Sequence, residues 1–419
     1  MDYLSKRDLK ALATAHRLIR FHAIPLLYRK VTIHTAQARA YEKVKGLVET
    51  PYILKWINAL VFLAPLNSPF TTNTEIFSNF ITSFSEMPNL RELKLVRIHL
   101  NWHAEMEILD TPLLSFACDQ CLFTSEQLTP APARQSSVTT LQLSLREDTK
   151  FPDSPPTFLN NFLNVQTLDI IVPYPDYTRF PMFPYLTSLT IRSPISLATF
   201  RIILRQSPHL AQLRYFHRHW RDNDDTPIKI PLLQRIEAPL LAVIQMLESP
   251  VLKSIVILTR RGYGHNQCEF INNLLLAMKR GPGEHITSLD MTLWFENQEQ
   301  AREFLVNLSD AVPNLSRFTL RIDPFIRKAI LASPLYNGRA RLPKLESLTV
   351  SIVLTGKQSS QPQVIPEDIL EPFARAFLET LIRPICPLLQ VVRIFPWSDA
   401  FSKTVLEGEG TIWKFERRD

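Results

Sequence analysis

A C-x-x-C pair is the first candidate for chemistry in this 419-residue sequence. Cys118-Asp-Gln-Cys121 has the spacing of a redox pair at a helix N-terminus, or of half a zinc site. A zinc site needs two further ligands at suitable spacing, and the other cysteines, Cys268 and Cys386, lie far along the chain. We therefore interpret the pair as a chance pairing at the end of a strand.

A cluster of histidines and aspartates is the second candidate. His217-Arg-His219 precedes Asp222, Asp224 and Asp225, and imidazole and carboxylate groups can bind a metal ion. The run directly follows a strand-like segment, so a polar loop is the simpler interpretation. The sequence contains no G-x-S-x-G, H-E-x-x-H or kinase signature. We predict no catalytic residue, no metal and no cofactor, and we do not expect an enzyme.

The composition narrows the class of protein further. The chain has 32 prolines and only 9 glycines, the reverse of the usual balance. Neither phosphate-cradling motif, G-x-G-x-x-G or G-x-x-x-x-G-K-[ST], occurs in the sequence. No apolar run approaches a membrane span, and the N-terminus lacks the apolar core of a signal peptide. With four cysteines, the chain is expected in the cytoplasm, the nucleus or both, with no membrane partner.

The positive charge of the chain is concentrated at its N-terminus. The formal net charge is +7. Residues 1–50 contain ten Lys or Arg and four Asp or Glu, a surplus of 10 − 4 = +6, which leaves +1 for the rest. This distribution indicates an acidic partner near the N-terminus. It argues against nucleic-acid binding, because no aromatic and basic motif of the RNA-recognition type is present.

A repeat is the strongest pattern in the sequence. The phrase apolar-x-x-apolar-x-apolar recurs along most of the chain, and its clearest copy is Leu90, Leu93 and Leu95. Successive copies begin 19 to 44 residues apart, at a spacing centred near 24. The twelve copies begin at Leu90, Leu114 (a weak copy), Val138, Val165, Leu186, Leu210, Leu233, Leu252, Ile286, Leu315, Leu345 and Leu389.

Proline marks the start of most copies. Nine of the twelve have Pro two positions before the first apolar residue, as Pro88 precedes Leu90. Because Pro cannot continue a helix, each unit predicts a helix, a proline stop and a short strand. The expected helical segments are Glu75–Ser85, Thr157–Leu163, Leu197–Gln206, Ala242–Glu248, Glu269–Lys279, Glu299–Asp310 and Phe373–Ile382.

These units predict an α/β fold, a leucine-rich-repeat-like solenoid in which short parallel strands alternate with helices. We expect the solenoid over residues 36–395 and a C-terminal cap or tail over 396–419. The Asn that usually follows the strand is missing from nearly every unit, so the repeats are degenerate. The residues between the apolar positions should line a concave, target-binding face: Glu92, Lys94, Gln142, Asp169, Thr190, Arg192, Gln212, Arg214, Phe216, Glu237, Asp290, Arg317, Thr319, Arg321 and Arg393.

The N-terminal 35 residues follow a different pattern. Leu4, Asp8, Leu9 and Leu12 predict one short amphipathic helix, which residues 17–23 continue or repeat. Pro25 is expected to break this helix, and residues 31–33 to begin a first strand.

This segment resembles the fungal F-box proteins. Their F-box ends in "L-x-x-x-D-L-x-x-L-x-x-x-x-R" and "P-L-L-Y-R-x-V", and degenerate leucine-rich repeats follow. The F-box's opening "L-P-x-E" and first helix are expected to be missing here, so the resemblance implies a partial F-box in residues 1–35. The matching residues are Leu4, Asp8, Leu9, Leu12, Arg17, Pro25, Leu26, Leu27, Tyr28, Arg29 and Val31.

The resemblance implies a substrate-recognition subunit of an SCF-type, cullin-based ubiquitin ligase. Its partners would be the acidic adaptor protein, the cullin scaffold and a target protein of unknown identity. An alternative stays open, in which the repeats form a scaffold with no ubiquitin role and residues 1–35 act only as a cap. The resemblance assigns adaptor binding to Leu4, Asp8, Leu9, Leu12, Arg17, Pro25, Leu26, Leu27 and Tyr28.

Overall fold

The protein divides into two compact units, Met1–Leu210 and Ala211–Asp419, in a computed structural model of the chain. Each unit contains short strands in parallel register, and helices separate many of them along the chain. The structure describes residues 5–35, 39–64, 76–78, 80–123, 135–145, 157–171, 181–193, 195, 197–216, 227–258, 267–293, 298–322, 342–353, 388, 391–397 and 411–414.

Seven parallel strands of the described residues form the sheet of the first unit, in the order β1-β2-β3-β5-β6-β7-β8, and a two-residue strand, β4, pairs with β5. The strands are β1 (Lys30–His34), β2 (Ala59–Leu63), β3 (Glu92–Val96), β4 (His99–Leu100), β5 (Ser115–Phe123), β6 (Thr140–Leu145), β7 (Thr167–Ile171) and β8 (Ser188–Ile191). The helices are α1 (Lys6–Ala15), α2 (Arg17–Tyr28), α3 (Ala40–Val48), α4 (Pro51–Leu54), α5 (Trp102–Asp110) and α6 (Leu197–Arg205), with short helical pieces at 76–78 and 80–81.

The second unit repeats this plan. Its strands pair in chain order, parallel from β9 to β15, and β16 then pairs antiparallel with β15. They are β9 (Gln212–Tyr215), β10 (Arg235–Ala238), β11 (Ser254–Ile257), β12 (Ser288–Leu293), β13 (Arg317–Ile322), β14 (Ser347–Val353), β15 (Val391–Trp397) and β16 (Thr411–Lys414). The helices are α7 (Leu240–Gln245), α8 (Gln267–Arg280) and α9 (Gln298–Ala311). The predicted fold class is confirmed: each unit is a leucine-rich-repeat-like stack.

The repeat phrase builds the core of both units. Leu90, Leu93 and Leu95 are at most 2% exposed, and the corresponding residues of the later copies are similarly buried wherever the structure describes their side chains. The phrase positions of successive copies lie opposite one another, so that Leu141 pairs with Leu168 and Leu213 with Ile236, and β5 alone among the described parallel strands contains a register shift, after its phrase residues. Alternation of side chains along each strand therefore separates a buried set from an outward set.

One copy of the phrase was predicted in the wrong register. Leu114 is 49% exposed, whereas Leu113 is fully buried, and Phe116 and Cys118 occupy the next two core positions. The copy therefore begins at Leu113, directly after Pro112. The strand keeps this register because a buried thiol serves as its last apolar residue, a substitution that a search for aliphatic residues overlooks.

The sheet also begins earlier than the repeat search indicated. Ile57, Leu60 and Phe62 are fully buried and form another copy, with Leu60 and Phe62 on β2. β1 lies within the F-box-like segment 1–35 and pairs with β2 along its whole length. The first repeat strand therefore lies before residue 36.

Pro25 does not break the N-terminal helix, contrary to the sequence expectation. α2 continues through Pro25 to Tyr28, although the ring removes one backbone hydrogen bond. α2 packs against α1, α4 and β1, and its Ala23 is fully buried. Tertiary packing of this kind provides most of the stability of short helices, so it holds the turn that Pro25 weakens.

The predicted helical segments are helical over most of the residues that the structure describes, but they differ in extent and type: α7 ends at Gln245 rather than at Glu248, and Phe84–Glu86 form a 3₁₀ helix. Residues Thr157–Asn161 form a 3₁₀ helix rather than an α-helix. The sequence analysis did not anticipate α3, α4 and α5. The expected helix at Phe373–Ile382 lies outside the described residues.

A backbone ladder connects successive repeats where the usual Asn is missing. The carbonyl of Leu114 accepts the N–H groups of both Thr139 and Thr140, and the carbonyl of Thr139 accepts those of Gln166 and Thr167. The same double acceptance recurs in the second unit, for example at the Gln234 carbonyl. Each junction thus satisfies two backbone donors, which a buried strand start requires.

Asparagine still contributes to this ladder, from a position before the strand. The Nδ2 groups of Asn89, Asn164 and Asn314 each donate to a backbone carbonyl of the preceding repeat. The donor–acceptor distances are 2.7, 2.8 and 2.6 Å, respectively. In all three repeats this Asn directly precedes the first buried residue of the phrase.

Candidate functional site

The outward residues of the strands lie in rows that run from strand to strand in each unit. We call the outward residue between the two buried positions of each strand the central row. In the first unit this row passes through Lys94, Gln142, Asp169 and Thr190, which occupy matching register positions. Lys94 is exposed and the other three are half-buried. The structure therefore places these four predicted target-binding residues in one line.

Two further predicted residues flank this row in the first unit. Glu92 is exposed at the start of β3, and Arg192 is exposed directly after β8. The Arg192 guanidinium donates to both carboxylate oxygens of Asp169, with distances of 3.0 Å from Nε and 2.8 Å from Nη2. A bidentate pair of this kind fixes both side chains on the surface.

The central row of the second unit has a similar layout. Arg214 lies opposite Glu237, and Arg214 Nε is 3.3 Å from Glu237 Oε2. Further along, Asp290 lies opposite Thr319, and the register continues through β14 to Arg393. The backbone therefore aligns the predicted residues of β12, β13 and β15.

The remaining predicted residues lie beside this row. Gln212 and Arg317 are exposed at the first position of β9 and β13. Phe216, directly after β9, is 37% exposed. Arg321 lies on β13, two positions beyond Thr319.

The predicted adaptor-binding residues pack mainly within the N-terminal helices. Leu9 is buried, and the Asp8 carboxylate accepts hydrogen bonds from the Ser5 hydroxyl and N–H in a capping box at the start of α1. Leu12 and residues 25–28 are half-buried, whereas Arg17 is exposed. Leu4 lies outside the described residues. Their role in adaptor binding stays a prediction.

An apolar pair on α2 is more accessible than the predicted set. Leu18 and Phe21 are 71% and 73% exposed, and a spacing of three residues places them on one helix face. Arg17 and Arg20 beside them are also exposed. The sequence analysis missed this pair because it looked for the F-box pattern. The helical spacing of two large apolar residues among arginines was the available signal.

Two lysines cover the free edge of the sheet at β1. Lys6 Nζ donates to the carbonyl of Lys30 at 3.0 Å, and Lys43 Nζ donates to the carbonyl of Thr32. Partial burial lowers the pKa of Lys43, and the nearby charges of Lys6 and Lys10 lower it further. Lysines at an edge strand oppose its pairing with another chain. The N-terminal helices therefore cap the first strand.

The C-x-x-C pair belongs to the core of the first unit. Cys118 and Cys121 are free thiols on β5 and are fully buried. The register shifts between Asp119 and Cys121, where Gln120 has a positive φ of 54°, and this bulge directs both thiols inward. Burial raises the pKa of the Cys118 thiol, and a hydrogen bond with Cys121 raises it further. A protonated thiol is a poor nucleophile and metal ligand.

The described part of the chain contains no group of three or more His, Cys, Asp or Glu side chains that could hold a metal ion. The cluster from His217 to Asp225 lies outside that part, as does Cys386. Among the described residues, no helix is both long and apolar enough to span a membrane.

Comparisons with known proteins identify no family. No family model matches the chain, and no curated protein matches it. Among solved structures, TLR13 in a complex with ssRNA13 is similar over 77% of this chain and 39% of its own, at 14% identity and a TM-score of 0.37. A Bacteroides fragilis protein is similar over 83% of this chain and 71% of its own, at 8% identity and a TM-score of 0.25. The fold assignment rests on the strand order and register within each unit.

Proposed function

We propose that this protein is a binding protein without a catalytic role, and that the outward faces of its strands hold a protein target. The observation that carries the proposal is the division, along strands such as β3, β9 and β13, between buried phrase residues and accessible polar ones. Lys94, Arg214 and Arg317 are exposed although their strand neighbours are at most 3% exposed. Binding sites on repeat proteins are built from such outward side chains.

The finer proposal is a substrate-recognition subunit of an SCF-type ubiquitin ligase. The F-box-like residues of the sequence support it, as does the surplus of positive charge in residues 1–50. Leu18 and Phe21 add an exposed apolar pair beside Arg17 and Arg20. An acidic adaptor that also presents apolar groups would complement this surface, because apolar anchors give affinity and charges give orientation.

Direct binding to the purified acidic adaptor tests this role. The full chain should bind the adaptor, and the double variant Leu18→Ser with Phe21→Ser should bind at least about tenfold more weakly, since each loses a large apolar contact. Tyr52→Ser is the matched control, because Tyr52 is 52% exposed on α4 and should be neutral. If the unaltered chain fails to bind the adaptor, the ligase role is wrong.

A scaffold without a ubiquitin role is the second candidate, and the capping of β1 favours it. Lys6 and Lys43 donate hydrogen bonds to backbone carbonyls of β1, and Leu9 is buried. These contacts give residues 1–35 a structural purpose without any adaptor. Target capture by a chain that does not bind the adaptor would favour this candidate over the ligase subunit.

A further inference from the structure

The charged residues on the outward face of the second unit are mostly positive. Its outward register positions contain five arginines, one lysine and two carboxylates, and the Arg214–Glu237 ion pair neutralises one cation and one carboxylate. Within the described residues, Arg235 and Arg317 form no ion pair. The charged outward residues are Arg214, Arg235, Glu237, Asp290, Arg317, Arg321, Arg393 and Lys414.

The positive charge is strongest at β13–β15. Arg317, Arg321 and Arg393 occupy outward positions there, and no carboxylate shares these positions. On β14, between the arginines, the same positions hold the hydroxyl residues Ser347, Thr349 and Ser351. Arg317 is exposed, so at least this guanidinium is accessible to a partner.

Register fixes the spacing of these arginines. Arg317 and Arg321 are four residues apart on β13, about 13 Å at the usual strand rise. Arg393 lies two strands away, about 10 Å across the sheet. An extended polypeptide lying over β14 shows the same face every second residue, about 6.6 Å, so carboxylates two residues apart match the successive register rows of Arg317, Arg393 and Arg321.

We propose that the outward face of β13–β15 binds an acidic, extended polypeptide segment of the target. The arginines would receive its carboxylates in charge-assisted hydrogen bonds, and the hydroxyls of β14 would meet its backbone. The inference rests on the proposed function, since it names the chemistry of the target and the strands that receive it.

The neighbouring charges favour a polypeptide over a nucleic acid. Asp290 on β12 lies next to this face, and Glu237 lies two strands further away. A phosphate backbone carries charge at every step and would meet these carboxylates if it continued along the sheet. A polypeptide can place a neutral or basic residue at those positions instead.

Peptide binding to the full chain tests the inference. The probe is a fluorescent peptide with Glu at every second position and Ser between, so that all its carboxylates share one face of the extended chain, and its control carries Gln in place of Glu. We expect binding of the Glu peptide only, with affinity that falls as salt rises. The double variant Arg317→Gln with Arg393→Gln should bind about tenfold more weakly, whereas Arg280→Gln, an exposed cation at the end of α8 and away from the strand faces, should bind normally.

Conservative variants and a competitor complete the test. Arg317→Lys should retain most of the affinity that Arg317→Gln loses, which separates a loss of charge from a loss of folding. Equal binding of the Gln peptide, an equal loss in Arg280→Gln, or stronger binding of oligothymidylate than of the Glu peptide would each overturn the proposal. A target captured through other residues would overturn it too, yet would leave the proposed function intact.

Discussion

The two units of this protein use the same strand register to present different charges. The outward positions of the first unit balance three cations against three carboxylates, one of each in the Asp169–Arg192 pair. Those of the second unit hold six cations, five arginines and Lys414, against two carboxylates. The charged outward residues of the first unit are Lys30, Glu92, Lys94, Asp119, Asp169 and Arg192.

This difference shows which positions of a repeat fold can vary in charge. The buried positions are constrained by packing and therefore look alike in both units, whereas the outward positions are free to differ. The fold thus explains the aliphatic phrase, whereas the outward positions of the two units differ in charge without any change in the fold.

The largest expected effect compares equivalent buried residues of the two units. Leu168 on β7 and Leu213 on β9 are fully buried at the same position of the phrase. Replacement of either by Ala should lower the free energy of unfolding by about 3 kcal/mol, from lost burial and a residual cavity. Their outward neighbours Thr167 and Gln212, replaced by Ala, should change it by less than about 0.5 kcal/mol.

Urea denaturation, followed by tryptophan fluorescence, measures the free energy of unfolding of the two buried variants and of the two outward variants. A large loss in one unit and none in the other would mean that the two units do not share the register. Large losses for the outward substitutions would mean that the buried and outward sets are reversed.

Two glycines provide the next comparison. A Cβ on Gly283 in the second unit would lie 2.0 Å from the Ala311 carbonyl oxygen, whereas one on Gly46 in α3 would meet nothing within 4 Å. Gly283→Ala should destabilise the protein by about 2–3 kcal/mol, because backbone would have to move. Gly46→Ala should stabilise it by up to about 1 kcal/mol, the helix-propensity gain.

Thermal melts of the two single variants should therefore shift in opposite directions. If Gly283→Ala melts like the unaltered protein, the close approach of the turn after α8 to the end of α9 is wrong.

The smallest expected effect is a pH dependence confined to the first unit. The pKa of the Cys118 thiol is raised in the folded protein, so the folded state keeps a proton that the unfolded state releases. The stability it contributes is complete below the ordinary thiol pKa and declines as the pH rises above it. Cys118→Ala should make the decline shallower between neutral and alkaline pH, although Ala lowers stability at every pH.

Denaturation midpoints across this pH range measure the slope. Arg235→Gln, a substitution in the second unit, serves as the control and should keep the slope of the unaltered protein. An unchanged slope in Cys118→Ala would show that the thiol titrates normally.

The sequence predicted the repeat better than it predicted the exceptions to it. Aliphatic residues at the phrase positions and proline before them identified the strands, because both follow from local chemistry. Pro25 was misinterpreted, since its tolerance in α2 depends on packing against α4 and β1. The inward orientation of both Cys118 and Cys121 depends on a bulge, which follows from the pairing of β5 with its neighbours.

The candidate site, like the fold, was predicted from the sequence only in part. Alternation along each strand was sufficient to choose outward residues such as Lys94 and Arg214. The Arg214–Glu237 and Asp169–Arg192 ion pairs were not predicted, because the phrase gives each residue its position on the strand but not the side-chain orientation that closes an ion pair. The exposure of Leu18 and Phe21 depended on how the N-terminal helices pack.

The central claim is that the strands of both units bury one set of alternating residues and present the other. Thiol accessibility measures this most directly, with single cysteines introduced at Lys94 and Arg214 and, for comparison, at Leu95 and Leu213. The account predicts that Lys94→Cys and Arg214→Cys react in the folded protein as fast as in denaturant, whereas Leu95→Cys and Leu213→Cys react only after unfolding. Rapid labelling of the Leu variants together with protection of the other two would contradict it.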